Sequence, residues 1–316
     1  MAATLVTGGD GFIGSHLVER LLRDGRRVVV LDNFDPFYAA AVKRDNLERA
    51  RKDPGFRLVE GDIREPKAVE DALSGEPVDT VIHLAAKAGV RPSIEDPAAY
   101  VSVNLDGTVT LLEACRRSKV RTFVFGSSSS VYGDNEKVPF SEDDPVDHPV
   151  SPYAATKRAG ELLAHTYHHL FGMRVSCLRF FTVYGPRQRP DLAIHAFARR
   201  IAAGLPLPVF GDGTSGRDYT YVDDIVDGIV AASARTIGFH VWNLGGASPV
   251  TLDAMIARLA EGLGKPAVLD RRPPQPGDVR RTFADVTRAR RELDWTPHVD
   301  FDEGIDRFLA WFGEHA

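Results

Sequence analysis

The chain has little cysteine, since only Cys115 and Cys177 occur among its 316 residues. Two cysteines 62 positions apart form neither a disulfide framework nor a metal site, and we predict no bound metal. Lys and Arg number 39 against 44 Asp and Glu, and a formal net charge of −5 argues against a nucleic-acid partner. Apolar runs such as 28–31 and 80–86 are too short to span a membrane, and no basic region follows Met1 as in a signal peptide. We therefore expect a cytoplasmic protein with no membrane partner.

What the chain does have is the composition of a globular protein with about two domains, 43% hydrophobic and 26% charged. Its first half alternates short β-branched runs with helical patterns, which predicts a parallel sheet covered by helices. The strand runs are continuously apolar, as expected for strands buried on both faces. The predicted strands are 4–7, 28–32, 56–60, 80–84, 122–127 and 174–180, and the predicted helices are 12–24, 43–51, 66–73, 97–118 and 152–171.

The pattern changes after about residue 181, where proline and glycine become frequent. A helix at 222–234 and a strand at 240–244 are predicted to return to the first sheet. We therefore predict a dinucleotide-binding domain from 1–180 plus about 218–245. A smaller substrate domain is predicted from about 181–217 plus 246–316, so the two domains are interleaved along the chain.

A glycine motif with the spacing G-x-x-G-x-x-G lies between the first strand and the first helix. Gly8 allows a tight turn, Gly11 lets the backbone approach a pyrophosphate, and Gly14 lets the helix pack on the strand. Eighteen residues further, Asp32 ends the second strand, where a carboxylate accepts hydrogen bonds from a ribose and favours NAD over NADP. A surface loop punctuated by glycines is the alternative, but the strand, helix and Asp32 in register favour a dinucleotide site.

A second motif places Tyr153 and Lys157 four residues apart at the start of a predicted helix, on one helical face. Tyrosine has a pKa near 10, but a nearby ammonium and a positive nicotinamide both favour the phenolate, so Tyr153 is a candidate general base. A polar run, Ser127 to Ser130, follows an apolar strand at the edge where open α/β sheets bind ligands. A solvent-facing helix stripe and a flexible serine turn are the alternatives, and the two motifs together argue against both.

With these motifs, nearly the whole chain resembles the nucleotide-sugar 4-epimerases of the extended short-chain dehydrogenase/reductase family. The resemblance implies an α/β fold, a Rossmann-type doubly wound parallel sheet with a smaller, interleaved α/β substrate domain. It also implies NAD as cofactor, a UDP-sugar as substrate, and a homodimer formed by the helices 97–118 and 152–171. It is carried by Leu5-Val6-Thr7-Gly8-Gly9, Leu31-Asp32-Asn33, Gly61-Asp62-Ile63-Arg64, His83-Leu84-Ala85-Ala86, Asn104-Leu105-Asp106-Gly107-Thr108, Ser151-Pro152-Tyr153 and Arg217-Asp218-Tyr219.

The resemblance also assigns roles to individual residues. Ser128 matches the catalytic Ser or Thr, with Ser130 a close second beside Tyr153 and Lys157. Positions matching nucleotide contacts are Arg217 at the phosphates, Asp278 at the uridine ribose and Phe210 at the uracil. Asp62 and Ile63 are expected to border the adenine, and Phe180 is expected to lie against the nicotinamide. The other expected cofactor contacts are Gly8, Gly11, Phe12, Ile13, Gly14, Asp32, Asn33, Leu84, Ala85, Ala86, Asn104, Tyr153 and Lys157.

Related dehydratases and decarboxylases also oxidise C4, so the reaction has to be separated from theirs. Dehydratases of this type carry Thr-Asp-Glu where this chain has Ser128, Ser129 and Ser130, and decarboxylases carry Glu at the last position. Elimination and decarboxylation need that acid, whereas epimerisation returns the same hydride and proton to the other face. We therefore predict an isomerase, with a dehydratase, a decarboxylase and a non-catalytic NAD-binding regulator as alternatives.

The sugar is predicted from the stretch 179–191, which resembles that of UDP-glucuronate 4-epimerases. UDP-galactose epimerases usually have Asn at Thr182 and Arg at Gln275, so the chain departs twice from the neutral-hexose pattern. Arg91, Arg187 and Arg189 offer positive charge that can clamp a carboxylate, with Ser129 and Thr182 as further substrate contacts. Arginines that bind only the pyrophosphate or form structural ion pairs are the alternative, which leaves UDP-glucose and UDP-N-acetylglucosamine as possible substrates.

Overall fold

A central parallel sheet organises the chain in a computed structural model, which describes residues 2–273 and 281–315. The strands are β1 (Ala3–Thr7), β2 (Val28–Asp32), β3 (Phe56–Glu60), β4 (Val78–His83), β5 (Thr122–Ser128), β6 (Arg174–Phe180), β7 (Thr182–Tyr184), β8 (Leu207–Phe210), β9 (Gly216–Tyr221), β10 (Phe239–Leu244), β11 (Pro249–Thr251) and β12 (Leu269–Arg272). The helices are α1 (Phe12–Arg23), α2 (Ala40–Asn46), α3 (Pro66–Leu73), α4 (Val90–Glu95), α5 (Pro97–Val101), α6 (Gly107–Arg117), α7 (Pro152–Phe171), α8 (Ala193–Ala202), α9 (Val222–Arg235), α10 (Leu252–Leu263), α11 (Thr287–Leu293) and α12 (Phe301–His315).

Seven strands form the main sheet in the order β10-β6-β5-β4-β1-β2-β3, and every neighbouring pair is parallel. The chain runs outward from β1 to β3 and then crosses back to β4 on the other side of β1. Such a reversal leaves a crevice at the carboxyl ends of the strands, where doubly wound sheets bind their ligands. The predicted fold class is confirmed.

Residues along the inner strands alternate between two buried cores, one on each face of the sheet. In β2, Val28 and Val30 belong to one core, while Val29 and Leu31 belong to the other. Successive side chains of a strand point to opposite faces, so burial on both faces requires an unbroken apolar run. This is the physical reason for the runs seen in the sequence.

Two predicted helices differ from the structure. Residues 97–118 form α5 and α6 joined by a π-helical turn, Ser102–Asp106, instead of one regular helix. The wider turn inserts a residue into the helical repeat, and such turns are frequent at functional sites. The helix predicted at 43–51 begins earlier, as α2, and is followed by a separate 3-10 turn, Ala50–Lys52.

The rest of the chain forms two small sheets, β11-β9-β7 and β12-β8, with α8, α10 and α12 beside them. Helix α9 and strand β10 return to the main sheet, while β9 (216–221) belongs to a small one although the first domain was predicted to resume at about 218. The division into two domains stays a prediction. No helix in the described part of the chain is long and apolar enough to cross a membrane.

Candidate active site

A cavity at the carboxyl ends of β1, β2, β4, β5 and β6 brings together most of the residues that the sequence singled out. We call the part formed by Gly8, Gly11, Gly14 and Asp32 the glycine-rich end. We call the part formed by Ser128, Ser129, Ser130, Tyr153, Lys157, Thr182 and Arg189 the hydroxyl end. The predicted residues that line the cavity are Gly8, Gly11, Phe12, Ile13, Gly14, Asp32, Asn33, Asp62, Ile63, Leu84, Ala85, Ala86, Ser128, Ser129, Ser130, Tyr153, Lys157, Phe180, Thr182 and Arg189.

At the glycine-rich end the backbone leaves no room for side chains at two of the three glycines. A Cβ on Gly14 would lie 2.0 Å from the carbonyl oxygen of Gly8, and one on Gly8, which has φ +74°, would lie 2.6 Å from the nitrogen of Ala85. A Cβ on Gly11 would meet only the Gly8 oxygen, at 3.3 Å, so this glycine faces the cavity. Helix α1 begins directly after Gly11 and points its first N–H groups at this space, which fits a pyrophosphate.

Asp32 lies at the end of β2 with its carboxylate held in place. Its Oδ1 accepts a hydrogen bond from the backbone of Phe34 at 3.1 Å, and its Oδ2 accepts one from the backbone of Asp10 at 3.3 Å. On the neighbouring strand end, Asp62 accepts a hydrogen bond from the Asn33 side chain at 2.8 Å. Carboxylates fixed beside a glycine cradle fit the adenosine half of NAD, so the residues present suit the predicted cofactor.

Sequence reasoning missed a buried polar group beside this cradle, formed by Asp10, Tyr38 and Lys43, which also line the cavity. The Lys43 Nζ lies 3.9 Å from Asp10 Oδ1 and 4.8 Å from the centre of the Tyr38 ring. Burial, followed by the neighbouring Asp32, raises the pKa of Asp10 well above its ordinary value. Among residues 2–273 and 281–315, Asp10 Oδ2 and the Tyr38 hydroxyl have no hydrogen-bond partner. The place of Asp10 inside the glycine motif was the only sequence signal for this group.

Tyr153 stands in the first turn of α7, where the hydroxyl end meets the strand ends. The helix begins cleanly because Pro152 occupies its first position and the Ser151 hydroxyl accepts from the Ala154 backbone at 3.1 Å. Burial raises the pKa of Tyr153, while the neighbouring Ser128 hydroxyl and the charge of Arg189 oppose that rise. The phenol therefore depends on its neighbours to act as a base near neutral pH.

Lys157 lies one turn further along α7, buried beneath Tyr153. Its Nζ donates to the carbonyl oxygen of Gly126 at 2.7 Å and lies 6.0 Å from the centre of the Tyr153 ring. Burial lowers the pKa of Lys157 to about 8, and Glu161 opposes that shift. The ammonium is thus placed to stabilise a Tyr153 phenolate, but it is lost at a lower pH than for an ordinary lysine.

The serine run supplies hydroxyls from a short 3-10 turn, Ser129–Tyr132, that follows β5. The Ser128 hydroxyl accepts from the Ser130 backbone and donates to the Ser130 hydroxyl, both at 3.1 Å. Because the Ser128 hydroxyl is the one of the two that opposes the rise in the pKa of Tyr153 and it also fixes Ser130, the arrangement favours Ser128 over Ser130 for the catalytic hydroxyl.

Asn104 was predicted to contact the cofactor, but it does not line the cavity. The π-helical turn buries its side chain, which donates to the Lys87 carbonyl and the Thr156 hydroxyl, both at 3.0 Å, and accepts from the Lys87 backbone at 2.8 Å. Asn104 therefore fixes the loop after β4 to helix α7 from behind the cavity wall.

The three predicted substrate arginines lie in different places in the structure. Arg189 lines the cavity, where it pairs with Asp191 through two hydrogen bonds of 3.0 and 2.7 Å. Arg187 points elsewhere, toward Glu19 at 2.6 Å, and lines a separate groove. Arg91 lies beside the cavity with its guanidinium 5.1 Å from the centre of the Phe210 ring.

Of three further predicted substrate residues, one lies away from the cavity and two lie outside the described residues. Arg217 does not line it and donates instead to the backbone oxygen of Gly216 at 3.0 Å. Gln275 and Asp278 lie outside the described residues. In the two described ranges, no cluster of three or more His, Cys, Asp or Glu side chains has the arrangement of a metal site.

Known proteins are similar to this chain over nearly its whole length. The model of the NAD dependent epimerase/dehydratase family matches residues 4–245. A UDP-glucuronate 4-epimerase of Thermodesulfobacterium geofontis is 41% identical, covering 100% of this chain and 97% of the relative. The Bacillus cereus UDP-glucuronic acid 4-epimerase, solved with UDP-glucuronic acid and NAD, has a TM-score of 0.94 at 38% identity, covering 99% of this chain and 100% of the other. The Thermus thermophilus UDP-glucose 4-epimerase, solved with NAD, has a TM-score of 0.91 at 35% identity over 99% and 100% of the two chains.

Proposed function

The chain belongs to the NAD dependent epimerase/dehydratase family, and we propose that it interconverts UDP-glucuronate and UDP-galacturonate by epimerisation at C4. The predictions of an isomerase and of NAD as cofactor agree with its relatives over the whole chain. The observation that carries the choice of sugar is the hydroxyl end itself. There Ser129, Ser130, Thr182 and Arg189 line one cavity with Tyr153 and Lys157.

The residues of the hydroxyl end divide the proton chemistry among them. NAD, when bound, accepts the hydride of C4 and later returns it to the opposite face of a 4-keto sugar. Tyr153 takes the proton of the C4 hydroxyl and gives it back, while Ser128 hydrogen-bonds to the same oxygen. Lys157 holds the phenolate form of Tyr153 by its charge.

A uronate places a special demand on this site, because a ketone at C4 is β to the C6 carboxylate. Such a species loses CO₂ most readily when the C5–C6 bond aligns with the carbonyl π system. The hydroxyls of Ser129, Ser130 and Thr182 are the donors available to hold the carboxylate out of that alignment, and Arg189 adds positive charge. Position 130 offers a hydroxyl where a decarboxylase carries the acid that protonates the product, so the carboxylate is retained.

The roles of the individual residues are part of this proposal. The geometry supports Arg189 as the guanidinium near the sugar and gives Arg187 a structural ion pair instead. Arg91 and Phe210 contact each other beside the cavity, which suits a nucleotide extending from the sugar. We retain Arg217 and Asp278 as nucleotide contacts, and Gln275 as a substrate contact, on the family resemblance alone.

Product analysis by NMR tests the proposal directly. The enzyme with catalytic NAD is incubated separately with UDP-glucuronate, UDP-glucose and UDP-N-acetylglucosamine. We expect UDP-galacturonate from the first substrate, without CO₂ and without net NADH. A preference for UDP-glucose or UDP-N-acetylglucosamine contradicts the choice of sugar, and release of CO₂ with a pentose product indicates a decarboxylase.

The homodimer and the cytoplasmic location also remain proposals. Exposed apolar side chains on α6 and α7, including Val109, Leu162 and Leu170, support pairing of these helices across a two-fold axis. Two unpaired buried cysteines, Cys115 and Cys177, are in keeping with a reducing compartment. Sedimentation of the wild type and of Leu162→Glu tests the dimer, since a charge in that interface should yield monomers.

A further inference from the structure

A buried ion pair lies directly beneath the hydroxyl end and has no part in the proposed proton transfer. The side chains of Glu161 on α7 and Arg179 on β6 are only 1% and 2% exposed. Arg179 donates from Nε to Oε1 and from Nη2 to Oε2 of Glu161, both at 2.9 Å. Two parallel bonds of this kind fix the orientation of the partners as well as their distance. The pair is therefore a rigid link between a helix and a strand.

On the helix side, the link acts on the face that carries the proposed base. Glu161 follows Lys157 by four residues, and Lys157 follows Tyr153 by four, so all three side chains lie along one stripe of α7. A rotation of α7 about its axis would move all three together. The position of Glu161 thus sets how Tyr153 and Lys157 face the strands.

On the strand side, the link acts on the two strand ends that form the hydroxyl end. The Ser127 hydroxyl donates to Glu161 Oε1 at 2.7 Å, and Ser127 directly precedes Ser128. Ser127 pairs with Arg179 in the sheet, and the next pair is Ser128 with Phe180. The Glu161 carboxylate therefore holds the two residues, Ser127 and Arg179, that directly precede Ser128 and Phe180 at the cavity.

The link continues into the 3-10 turn and a third strand. Arg179 donates from Nη1 to the Tyr132 hydroxyl at 3.0 Å, and Tyr132 donates to Oδ1 of Asn243 on β10 at 2.7 Å. Tyr132 ends the turn that carries Ser129 and Ser130. All three guanidinium nitrogens of Arg179 are thus used, two to bond Glu161 of α7 and one to bond Tyr132 of the 3-10 turn.

We propose that Glu161 and Arg179 are positioning residues, which hold Tyr153 and Lys157 of α7 in register with Ser128 so that proton transfer can occur. The inference rests on the proposed function, because it concerns the geometry of that reaction. A contribution to stability alone explains the pair poorly, since the desolvation of two buried charges largely offsets their attraction. The carboxylate also has an electrostatic effect, because Glu161 opposes the fall in the pKa of Lys157 caused by burial.

The first test removes a single hydrogen bond to Glu161 and leaves the ion pair intact. Ser127→Ala deletes the hydroxyl that donates to Glu161, and we expect kcat to fall about tenfold with little change in KM or NAD content. The matched control is Tyr167→Phe, which deletes a hydroxyl that donates to Glu113 at 2.6 Å, further along the same helix. The control should keep kcat within about twofold of the wild type.

The second test removes the charge of the carboxylate. In Glu161→Gln we expect kcat to fall about 100-fold, the scale of a misplacement of about 1 Å. We also expect the alkaline limb of the kcat profile to move to lower pH, because Lys157 loses the neighbour that raises its pKa. A residue that only stabilises the fold would lower the melting temperature without moving this limb.

The outcomes separate the inference from the proposed function. If Ser127→Ala keeps the wild-type kcat, or loses no more than Tyr167→Phe, the positioning role is wrong, even where Glu161→Gln fails to fold. A Glu161→Gln variant with an unmoved alkaline limb overturns the electrostatic part. If the wild type epimerises no UDP-sugar, the proposed function fails. The pKa of Lys157, measured by NMR of labelled lysine in the NAD holoenzyme, still decides whether Glu161 acts on it.

Discussion

The glycine-rich end and the hydroxyl end of the cavity are built in different ways. At the glycine-rich end, the continuous stretch from Gly8 to Gly14 lines the cavity with its backbone, which packs so closely that a Cβ on Gly14 or Gly8 would lie only 2.0 or 2.6 Å from other main-chain atoms. At the hydroxyl end, the end of β5, the residues after β6, the start of α7 and the loop before α8 each supply one to three side chains. These segments are held together by side-chain hydrogen bonds and buried charges.

The difference shows which kind of change each end should tolerate. A backbone cradle fails when atoms are added to it, since the main chain has nowhere to move. A side-chain constellation fails when a polar atom is removed, because its former partner is left buried without a hydrogen bond. The predictions below test this contrast, beginning with the largest expected effect.

Removal of one oxygen from the hydroxyl end should have the greatest effect. In Tyr153→Phe we expect turnover to fall by about 10³-fold or more while NAD stays bound, since only the proton-transfer group is lost. Single-turnover kinetics with UDP-glucuronate and the absorbance of bound cofactor measure the two quantities. Tyr100→Phe is the control, because the Tyr100 ring packs 6.2 Å from that of Tyr153 and its hydroxyl donates only to the Ala88 carbonyl. More than about a tenth of wild-type activity in Tyr153→Phe would show that the phenol is not the base.

Addition of one methyl group should damage the glycine-rich end. In Gly14→Ala the new Cβ would lie 2.0 Å from the Gly8 carbonyl oxygen, so α1 must shift away from β1. We expect a loss of about 3 kcal/mol in the free energy of unfolding, at the upper end for overpacking, together with loss of bound NAD. Denaturant titration and cofactor content measure both.

Gly313→Ala is the control, because it adds the same methyl group where no atom lies within 4 Å of the new Cβ. There a helical alanine should stabilise α12 by about 0.5–1 kcal/mol. Equal stability of the Gly14 and Gly313 variants would contradict the backbone account of the cradle.

Arg189 inside the hydroxyl end and Arg187 outside it can be compared through their effects on two substrates. In Arg189→Gln we expect kcat/KM for UDP-glucuronate to fall about 10- to 100-fold, the range for a charge-assisted hydrogen bond, and that for UDP-glucose to fall much less. Arg187→Gln should change both substrates by the same factor, because Arg187 pairs with Glu19 outside the cavity. The two substrates are compared at equal enzyme and NAD concentrations. An equal loss for both substrates in Arg189→Gln would remove this arginine from carboxylate recognition.

The smallest effect is expected at Asp32 of the glycine-rich end. Asp32→Ser should lower the affinity for NAD relative to NADP by about tenfold, since one charge-assisted hydrogen bond to the ribose is lost. Binding of the two cofactors to the apoprotein, followed by calorimetry, gives the ratio. An unchanged ratio would reject the ribose role of Asp32.

The sequence predicted the strands of the main sheet, the confirmed fold class and most residues that line the glycine-rich end. It failed at 97–118, where a π-helical turn hides Asn104 behind the cavity wall. It also failed to separate Arg187 from Arg189, although they lie two residues apart. Arg187 adopts a positive φ of 62°, a backbone conformation that no local pattern indicated for an arginine, and its side chain turns toward Glu19.

The sequence by itself determined the features whose cause lies within a few residues. Unbroken apolar runs require strands buried on both faces, glycines at fixed spacing require a tight backbone turn, and a four-residue spacing puts Tyr153 and Lys157 on one helical face. Only the tertiary structure decided which distant side chains meet. The partners Glu161 and Arg179, or Arg187 and Glu19, are brought together by the packing of whole elements, and many residues of the same type would satisfy the local pattern equally well. Burial then sets their chemistry, because a charge removed from water depends on the few groups that the fold places beside it.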